Sequence, residues 1–402
     1  MGGELDFIRH FKRSRLMQRS AGLDLMRAVA ISLVLLDHFL PRLGFAAPEI
    51  LRFIGWSPIG VDLFFALSGF LIGRILLRLG SQISEPRALF GFWIRRWLRT
   101  LPVYYVMLFL RFFVVVMGSF HFGWGTLAIL PSYLVFMQCW AWPVRPISGP
   151  YVFFGEAWSL AVEEWFYLLF PLLLAGMVYV GIKPVRAFLF ASIIMLLASV
   201  GFRLGLEPAE PRNWFTDIYN VTIYRFDSIA WGLIAAVFSV TRASLWFRMR
   251  WMALVLGLAL LGFDHQYQML HLVMNQYWRV WHFTITGVGS ALVLPWCSTV
   301  PNFYWRPLQS LTGVIARWSY SLYLVHYMFI TLALRWVVPH LKESTGLNCG
   351  LVVVTCGCSF AFAGFLYHWV EKPMMNLRER WNLSKQLRMK EPKNGPTEVA
   401  AI

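Results

Sequence analysis

Apolar residues in this chain come in runs of about twenty, separated by short stretches where Lys, Arg, Pro and Trp collect. About twenty residues, each rising about 1.5 Å in a helix, cross the roughly 30 Å hydrocarbon core of a bilayer. The runs fall at about 23–43, 60–79, 95–118, 158–182, 187–206, 223–240, 251–268, 277–296, 310–338 and 348–370. They predict an all-α, polytopic transmembrane helical bundle of about ten spans. In this reading Arg95, Arg96 and Arg99 open the third span. The stretch Trp124 to Pro150 does not fit the pattern, because Pro131, Pro143, Pro146 and Pro150 interrupt a short apolar run. It reads as a re-entrant or interfacial segment and not as a crossing.

Charge placement orients the spans. Arg9, Lys12, Arg13, Arg15 and Arg19 precede the first run, so the positive-inside rule puts the N-terminus in the cytoplasm. If 124–150 does not cross, the basic loops at Arg242, Arg248 and Arg250, and at Arg306, fall on that same side, and both termini are cytoplasmic. The predicted organisation is a basic cytoplasmic N-terminus over 1–20, a transmembrane domain over 21–371 and a cytoplasmic, disordered polar tail over 372–402. The first run carries charge inside it and follows about two dozen basic and polar residues, which predicts a retained span and not a cleaved signal.

Composition narrows the class. Of the 402 residues 58% are hydrophobic and only 14% charged, and the mean hydropathy is +0.58. Soluble domains carry about 25% charged residues, and such a surface would not be wetted. The net charge of +16 is a membrane signature here, since the basic residues sit between apolar runs; no nucleic-acid partner is expected. Five cysteines show neither a disulfide framework nor zinc-type spacing, so no metal is expected.

Ionisable groups inside spans cost at least about 2.5–3.5 kcal/mol on insertion scales, so each is a candidate for function. Arg27 and His38 on the first run are eleven residues apart, about three helical turns, and share a face about 16 Å long. That face suits an extended ligand, anionic at one end and reacting at the other, with His38 as general base. A snorkelling Arg and a packed His are the plainer alternative. Asp37 points about 100° away from His38 and is no orienting partner. Arg95, Arg96 and Arg99 are spaced to share a helix flank and suit phosphate, or else mark ordinary positive-inside charge. Glu163 and Glu164 head an apolar run, where they can favour the helix N-terminus, orient a His or bind a sugar hydroxyl. Arg225 and Asp227 read as a structural ion pair or as binding residues. Ser319, Tyr323 and His326 share a face, giving hydroxyl and imidazole groups that can bond between helices. Gly69 and Gly73 make a small-xxx-small packing face beside Ser68.

Taken in order, these strings resemble acyltransferase family 3, from about residue 21 to 375. The Arg27-to-His38 spacing matches that family's Arg-(ten residues)-His motif. Gly60 to Leu71 looks like its second span, Arg96 and Arg99 with Pro102 resemble its Arg-x-x-Arg signature, and Trp158-Ser159-Leu160 with Glu163-Glu164 and Tyr167, then Ser319-Tyr320 with Tyr323 and His326, are similar to its later segments. Glu371-Lys372-Pro373 resembles its closing Glu-x-Pro. The resemblance implies an acyl-CoA-dependent O-acyltransferase of the bacterial inner membrane, moving an acyl group, usually acetyl, from acetyl-CoA at the cytoplasmic side to a hydroxyl of an extracytoplasmic or lipid-linked glycan. It implies His38 as base, Arg27 as donor-positioning residue, and Arg96 and Arg99 on the CoA phosphates. Glu163 and Glu164 join the candidate catalytic set. Arg95, Ser68, Tyr320, Tyr323, His326, Arg225 and Asp227 join the candidate donor-binding set. Acyl-CoA is a co-substrate and not a resident cofactor; the other partners expected are membrane lipid and the hydroxyl acceptor. A relay through acyl-His38 is an open variant. Some relatives add a C-terminal hydrolase-like domain of the SGNH type; with about thirty polar residues after the last run, none is expected here. A transporter or glycan exporter, and a regulatory protein that has lost the chemistry, are the competing classes; only the enzyme consumes thioester. Oligomeric state is open.

Overall fold

The computed structural model describes residues 20–43, 57–117, 124–140, 154–205, 218–270, 280–340 and 345–378. Among the described residues there is no strand, and the helices are α1 (Ala21–Arg42), α2 (Ser57–Leu79), α3 (Pro86–Met117), α4 (Trp124–Leu134), α5 (Trp158–Tyr179), α6 (Pro184–Leu204), α7 (Phe226–Thr241), α8 (Ala243–Arg248), α9 (Arg250–Leu270), α10 (His282–Thr299), α11 (Arg306–Trp336) and α12 (Thr345–Leu366). Among the described residues, each apolar run of the sequence lies mainly on one of these helices. Seven of them, with their flanking turns, are long and apolar enough to cross a membrane: α2, α3, α5, α6, α7, α11 and α12. The other three long helices are more polar: α1 holds Asp24, Arg27, Asp37 and Arg42, and the end of α9 holds Asp264, His265, Gln266 and Gln268. The eleven residues of α4 amount to about 16 Å, half the hydrocarbon thickness. The remainder of the doubtful stretch, 141–150, lies outside the described residues, as do 1–19 and 379–402.

Two boundaries differ from the expectation. Arg95, Arg96 and Arg99 do not open a helix. Glu85 is extended (φ −80°, ψ 124°), as a residue before proline must be, and Pro86 starts α3. The arginines therefore lie about two and a half turns or more inside a helix of 32 residues. Helix also continues past the expected end of the transmembrane domain at 371. The chain passes through a π-helical turn, Tyr367–Glu371, and stays helical to Arg378. Glu371 is buried and accepts a hydrogen bond from Ser321 Oγ at 2.9 Å; that partner on α11 is what allows the carboxyl inside.

Packing centres on α2 and α7, which share the most extensive contact in the bundle. A Cβ added to Gly69 would strike the Ile229 carbonyl, and one added to Gly232 would strike the Ala66 carbonyl. One turn along, a Cβ on Gly73 would come within 2.8 Å of the Ala236 methyl. Small residues on both helices thus let the backbones touch. Around this seam α1 packs on α2 and α11, α6 on α7, α10 on α9, α7 and α2, and α12 on α11. Ser20 ties the start of α1 to the end of α10, its Oγ lying 2.7 Å from the Cys297 carbonyl and 2.6 Å from that of Val300. Large apolar side chains such as Phe190, Ile193, Leu197, Val255, Leu258, Val353 and Val354 face outward, the surface that lipid covers.

Arg225 and Asp227 do not pair with one another. Arg225 Nη2 donates to Asp62 Oδ1 of α2 at 2.6 Å, and its guanidinium lies 4.6 Å from the Tyr219 ring centre and 4.3 Å from that of Phe283. Asp227 instead accepts from Arg203 Nη2 of α6 at 2.6 Å and from Thr284 Oγ1 of α10 at 3.2 Å. Two residues apart in sequence, they tie α7 to three different helices.

Gly69→Leu is expected to destabilise the protein by about 1–3 kcal/mol or more, since the contact is backbone against backbone. Gly176→Ala, where an added Cβ meets nothing within 4 Å, is expected to leave stability unchanged or slightly higher. Thermal unfolding in lipid nanodiscs checks both. Asp62→Ala, which strands the Arg225 charge, is expected to cost about 3–5 kcal/mol in the same assay.

Candidate active site

One cleft opens between α1, α2, α3, α5 and α11, with a cavity volume of about 120 Å³. The helix period explains its lining. On α5, Ser159, Glu163 and Tyr167 are four apart and form one stripe; on α3, Arg96 and Thr100 do the same, with Arg99 beside them. Ser68 comes from α2, Arg27 from α1, and Ser319, Tyr320 and Tyr323 from α11. Three guanidinium groups therefore face the space against one carboxylate, so the cleft favours an anionic occupant.

The polar groups hold one another in place. Arg96 Nη2 donates to Tyr167 Oη at 2.7 Å, its guanidinium lies 4.4 Å from the Tyr167 ring centre, and Tyr167 Oη and Ser68 Oγ are hydrogen-bonded. Arg96 Nε is buried with no hydrogen-bond partner. Arg27 pairs with Asp24 one turn before it, Nη1 to Oδ1 3.2 Å. Tyr320 Oη donates to the Thr100 carbonyl at 2.6 Å, joining α11 to α3. Ser159 Oγ donates to Tyr323 Oη at 2.7 Å, and that hydroxyl donates onward to the Glu156 carbonyl at 3.1 Å. A second, polar cleft adjoins at Asp24, lined also by Asn302, Arg306, Gln309 and Arg317.

His38 does not line the cleft. It stands behind Tyr323, with Nδ1 2.8 Å from His326 Nε2 and the two rings edge to edge and nearly coplanar, their centres 5.1 Å and their planes 6° apart. His326 Nδ1 is 2.6 Å from the Tyr323 carbonyl. Tyr323 thus lies between the cleft and the histidine pair. Beyond the pair, Tyr327 packs edge-on to His38 at 5.5 Å, and Arg42 Nε donates to Tyr327 Oη at 3.2 Å. Arg111 Nη1 donates to Thr331 Oγ1 at 3.2 Å, and its Nη2 lies 3.9 Å from Glu156 Oε2. Both Glu156 carboxylate oxygens are buried without a hydrogen bond.

The structure thus brings Arg27, Ser68, Arg96, Arg99, Glu163, Tyr320 and Tyr323 to one cleft, with His38 and His326 one residue layer away. Arg95 does not line it: the residue next to Arg96 points about 100° round the helix. Glu164 likewise turns from Glu163, accepts from Thr100 Oγ1 at 2.7 Å and borders a separate depression with Trp97, Leu101 and Tyr105. Arg225 and Asp227 lie outside the cleft, held in the buried ion pairs above. Sequence reasoning missed Thr100, Glu156, Arg111 and the pairing of His38 with His326. The four-residue spacing of Ser159, Glu163 and Tyr167 was a readable signal; contacts between positions 288 residues apart carry none. Among the described residues no group of His, Cys, Asp and Glu can hold a metal ion.

Comparison with known proteins gives the family of the chain. A candidate peptidoglycan O-acetyltransferase of Bacillus subtilis, YrhL, is 27% identical over 379 residues, which cover 88% of this chain and 54% of that protein. The peptidoglycan O-acetyltransferase OatA of Listeria monocytogenes is 37% identical over 123 residues, 28% of this chain and 19% of its own length. A candidate O-acetyltransferase of Staphylococcus aureus is 25% identical over 243 residues, 56% of this chain and 36% of that one. The chain spans about half the length of the Bacillus relative and less of the others. No solved structure matches at a significant level. The family model described as an acyltransferase domain matches residues 20–367, and the chain belongs to acyltransferase family 3.

Proposed function

We propose that this chain is an integral-membrane O-acyltransferase that moves an acyl group, acetyl in the first instance, from acyl-CoA to a hydroxyl of an extracytoplasmic or lipid-linked glycan. The observation that carries the reading is the cleft itself: Arg27, Arg96 and Arg99 face one space, and the His38–His326 pair stands behind its Tyr323 wall. CoA is polyanionic and too polar to cross lipid, so its phosphates meet guanidinium groups at the cytoplasmic mouth. The pantetheine arm is extended and threads between helices toward His38. The relatives' names make peptidoglycan one candidate acceptor; lipopolysaccharide, capsule and exopolysaccharide are others. We read the ten long helices among the described residues, seven of them apolar enough to cross a membrane, as ten spans with both ends cytoplasmic, in a bacterial inner membrane.

The chemistry needs no covalent nucleophile. His38 takes the proton of the acceptor hydroxyl as its oxygen attacks the thioester carbonyl. The C–O bond forms, the C–S bond breaks, and the CoA thiolate takes the proton back from His38. Arg27, Ser68 and Tyr320 are the candidate donors to the oxyanion between these steps. Glu163, beside the Tyr167–Arg96 contact, balances the arginines.

Purified protein in lipid nanodiscs, given acetyl-CoA and a membrane glycan extract, is expected to release free CoA. His38→Ala is expected to lower the rate by about 10²–10⁴-fold, the range for a general base. Release of CoA by neither protein, together with failure of labelled acetyl-CoA to bind, overturns the enzyme reading in favour of transport. Arg99→Ala is expected to weaken acetyl-CoA binding by about tenfold to a hundredfold, the worth of one charged hydrogen bond; titration calorimetry in nanodiscs measures it.

A further inference from the structure

His38 is a base only if the nitrogen that faces its substrate carries a lone pair. A neutral imidazole has one N–H and one bare nitrogen, and the partner of one ring nitrogen decides which is which. The contacts around His326 settle that choice. A carbonyl oxygen only accepts, so the 2.6 Å contact between His326 Nδ1 and the Tyr323 carbonyl puts a proton on His326 Nδ1. Neutral His326 then has a bare Nε2. The atom 2.8 Å from it, His38 Nδ1, must therefore be the donor. The proton of neutral His38 sits on Nδ1, and its Nε2 keeps the lone pair. Among the described residues no protein group hydrogen-bonds His38 Nε2. The rings lie nearly coplanar, 6° apart, as an in-plane N–H···N bond requires, and His326 is fully buried.

We propose that His326 is the positioning residue for His38. Anchored by the Tyr323 carbonyl, it accepts from His38 Nδ1–H and so fixes the tautomer in which His38 Nε2 is the base. This rests on the acyl-transfer reading for its role in turnover. When His38 Nε2 takes the acceptor's proton, the imidazolium keeps its Nδ1–H bond to His326 Nε2, which supports the positive charge until the thiolate takes a proton back from His38. A carboxylate is the commoner group in this place; here Asp37 lies next to His38 in sequence but about 100° away around α1, and the imidazole on α11 takes the position instead.

Two measurements test this. The first reads the tautomer without turnover: solid-state NMR of protein in lipid bilayers with ¹⁵N,¹³C-labelled histidine rings, where the signals lost in His38→Gln identify His38. Neutral His38 is expected to be protonated at Nδ1 and bare at Nε2, and to lose this single tautomer in His326→Ala. Protonation at Nε2 in the wild type overturns the proposal, whether or not the protein turns over. The second is kinetic. His326→Ala is expected to lower kcat for CoA release by about 10²–10⁴-fold, as the loss of an effective base does, with KM for acetyl-CoA within about threefold of the wild type. His326→Gln, whose amide oxygen reaches the place of Nε2, is expected to recover at least about tenfold over His326→Ala. A His326→Ala protein with wild-type kcat overturns the proposal. So does loss of acetyl-CoA binding in both variants while their unfolding temperatures hold, since His326 would then serve the donor site. Wild-type protein that releases no CoA overturns the acyl-transfer reading instead, and the tautomer measurement still decides the role of His326.

Discussion

A charge carried into hydrocarbon has to meet a counter-charge or a set of dipoles, or the segment that bears it is costly to insert. In this chain that requirement organises the bundle. Arg203 and Arg225 are wholly enclosed, and each meets a carboxylate at 2.6 Å, Asp227 and Asp62 respectively. Those four residues sit on or beside α6, α7 and α2, and Thr284 extends the set to α10. With the glycine seam between α2 and α7, they fix one half of the molecule. The free face of α2 then presents Ser68 toward α1, α3, α5 and α11, where the cleft opens. The arginines there are answered less completely: Arg27 has Asp24, but Arg96 keeps a buried Nε without a hydrogen bond. The two groups of arginines differ in what they serve, one closing the fold and the other facing a space.

The apolar runs made the helices legible, because a run of about twenty such residues has few other places to go. Polarity inside the runs made most of the cleft legible as well: Arg27, Ser68, Arg96, Arg99, Glu163, Tyr320 and Tyr323 all arrive there. What the sequence conceals is direction and partner. Arg95 and Arg96 look equivalent in a string of basic residues, yet adjacent positions on a helix diverge by about 100°. The same holds for Glu163 and Glu164. Arg225 and Asp227 look like one ion pair and are halves of two. The start of α3 was hidden because Arg95, Arg96 and Arg99 imitate a membrane boundary, while the local rule that Pro86 begins a helix and holds Glu85 extended operates nine residues earlier.

A second polar group lies near the histidine pair and does not line the cleft. Arg111 reaches toward Glu156, Arg42 toward Tyr327, and Tyr327 meets both the His38 ring and the Arg111 guanidinium, the latter at 5.8 Å. A glycan acceptor is rich in hydroxyls, which bond to carboxylates and guanidinium groups alike. In the proposed reaction the donor arrives from the arginine side and the acceptor from this one, so the base between them is reached from both. The two polar regions are kept apart by a layer one side chain thick.

That layer is Tyr323. Its side chain lines the cleft, its hydroxyl is fixed between Ser159 and the Glu156 carbonyl, and its own carbonyl holds His326. One residue therefore joins the wall of the cleft to His326. The hydroxyl bonds tie α11 to α5 and to the turn before it, while the carbonyl bond lies within α11, between residues three apart. A carbonyl already spanned by the helix ladder has a second lone pair to offer, which is what lets His326 be held without breaking α11. The rotation of α11 about its axis sets both contacts together: any turn of the helix that moved the Tyr323 hydroxyl from Ser159 would carry the His326 ring away from α1 and His38. The spacing of Tyr323 and His326 is thus fixed by the pitch of a single helix, and in the proposed reaction the placement of His38 depends on how firmly α5 grips Tyr323.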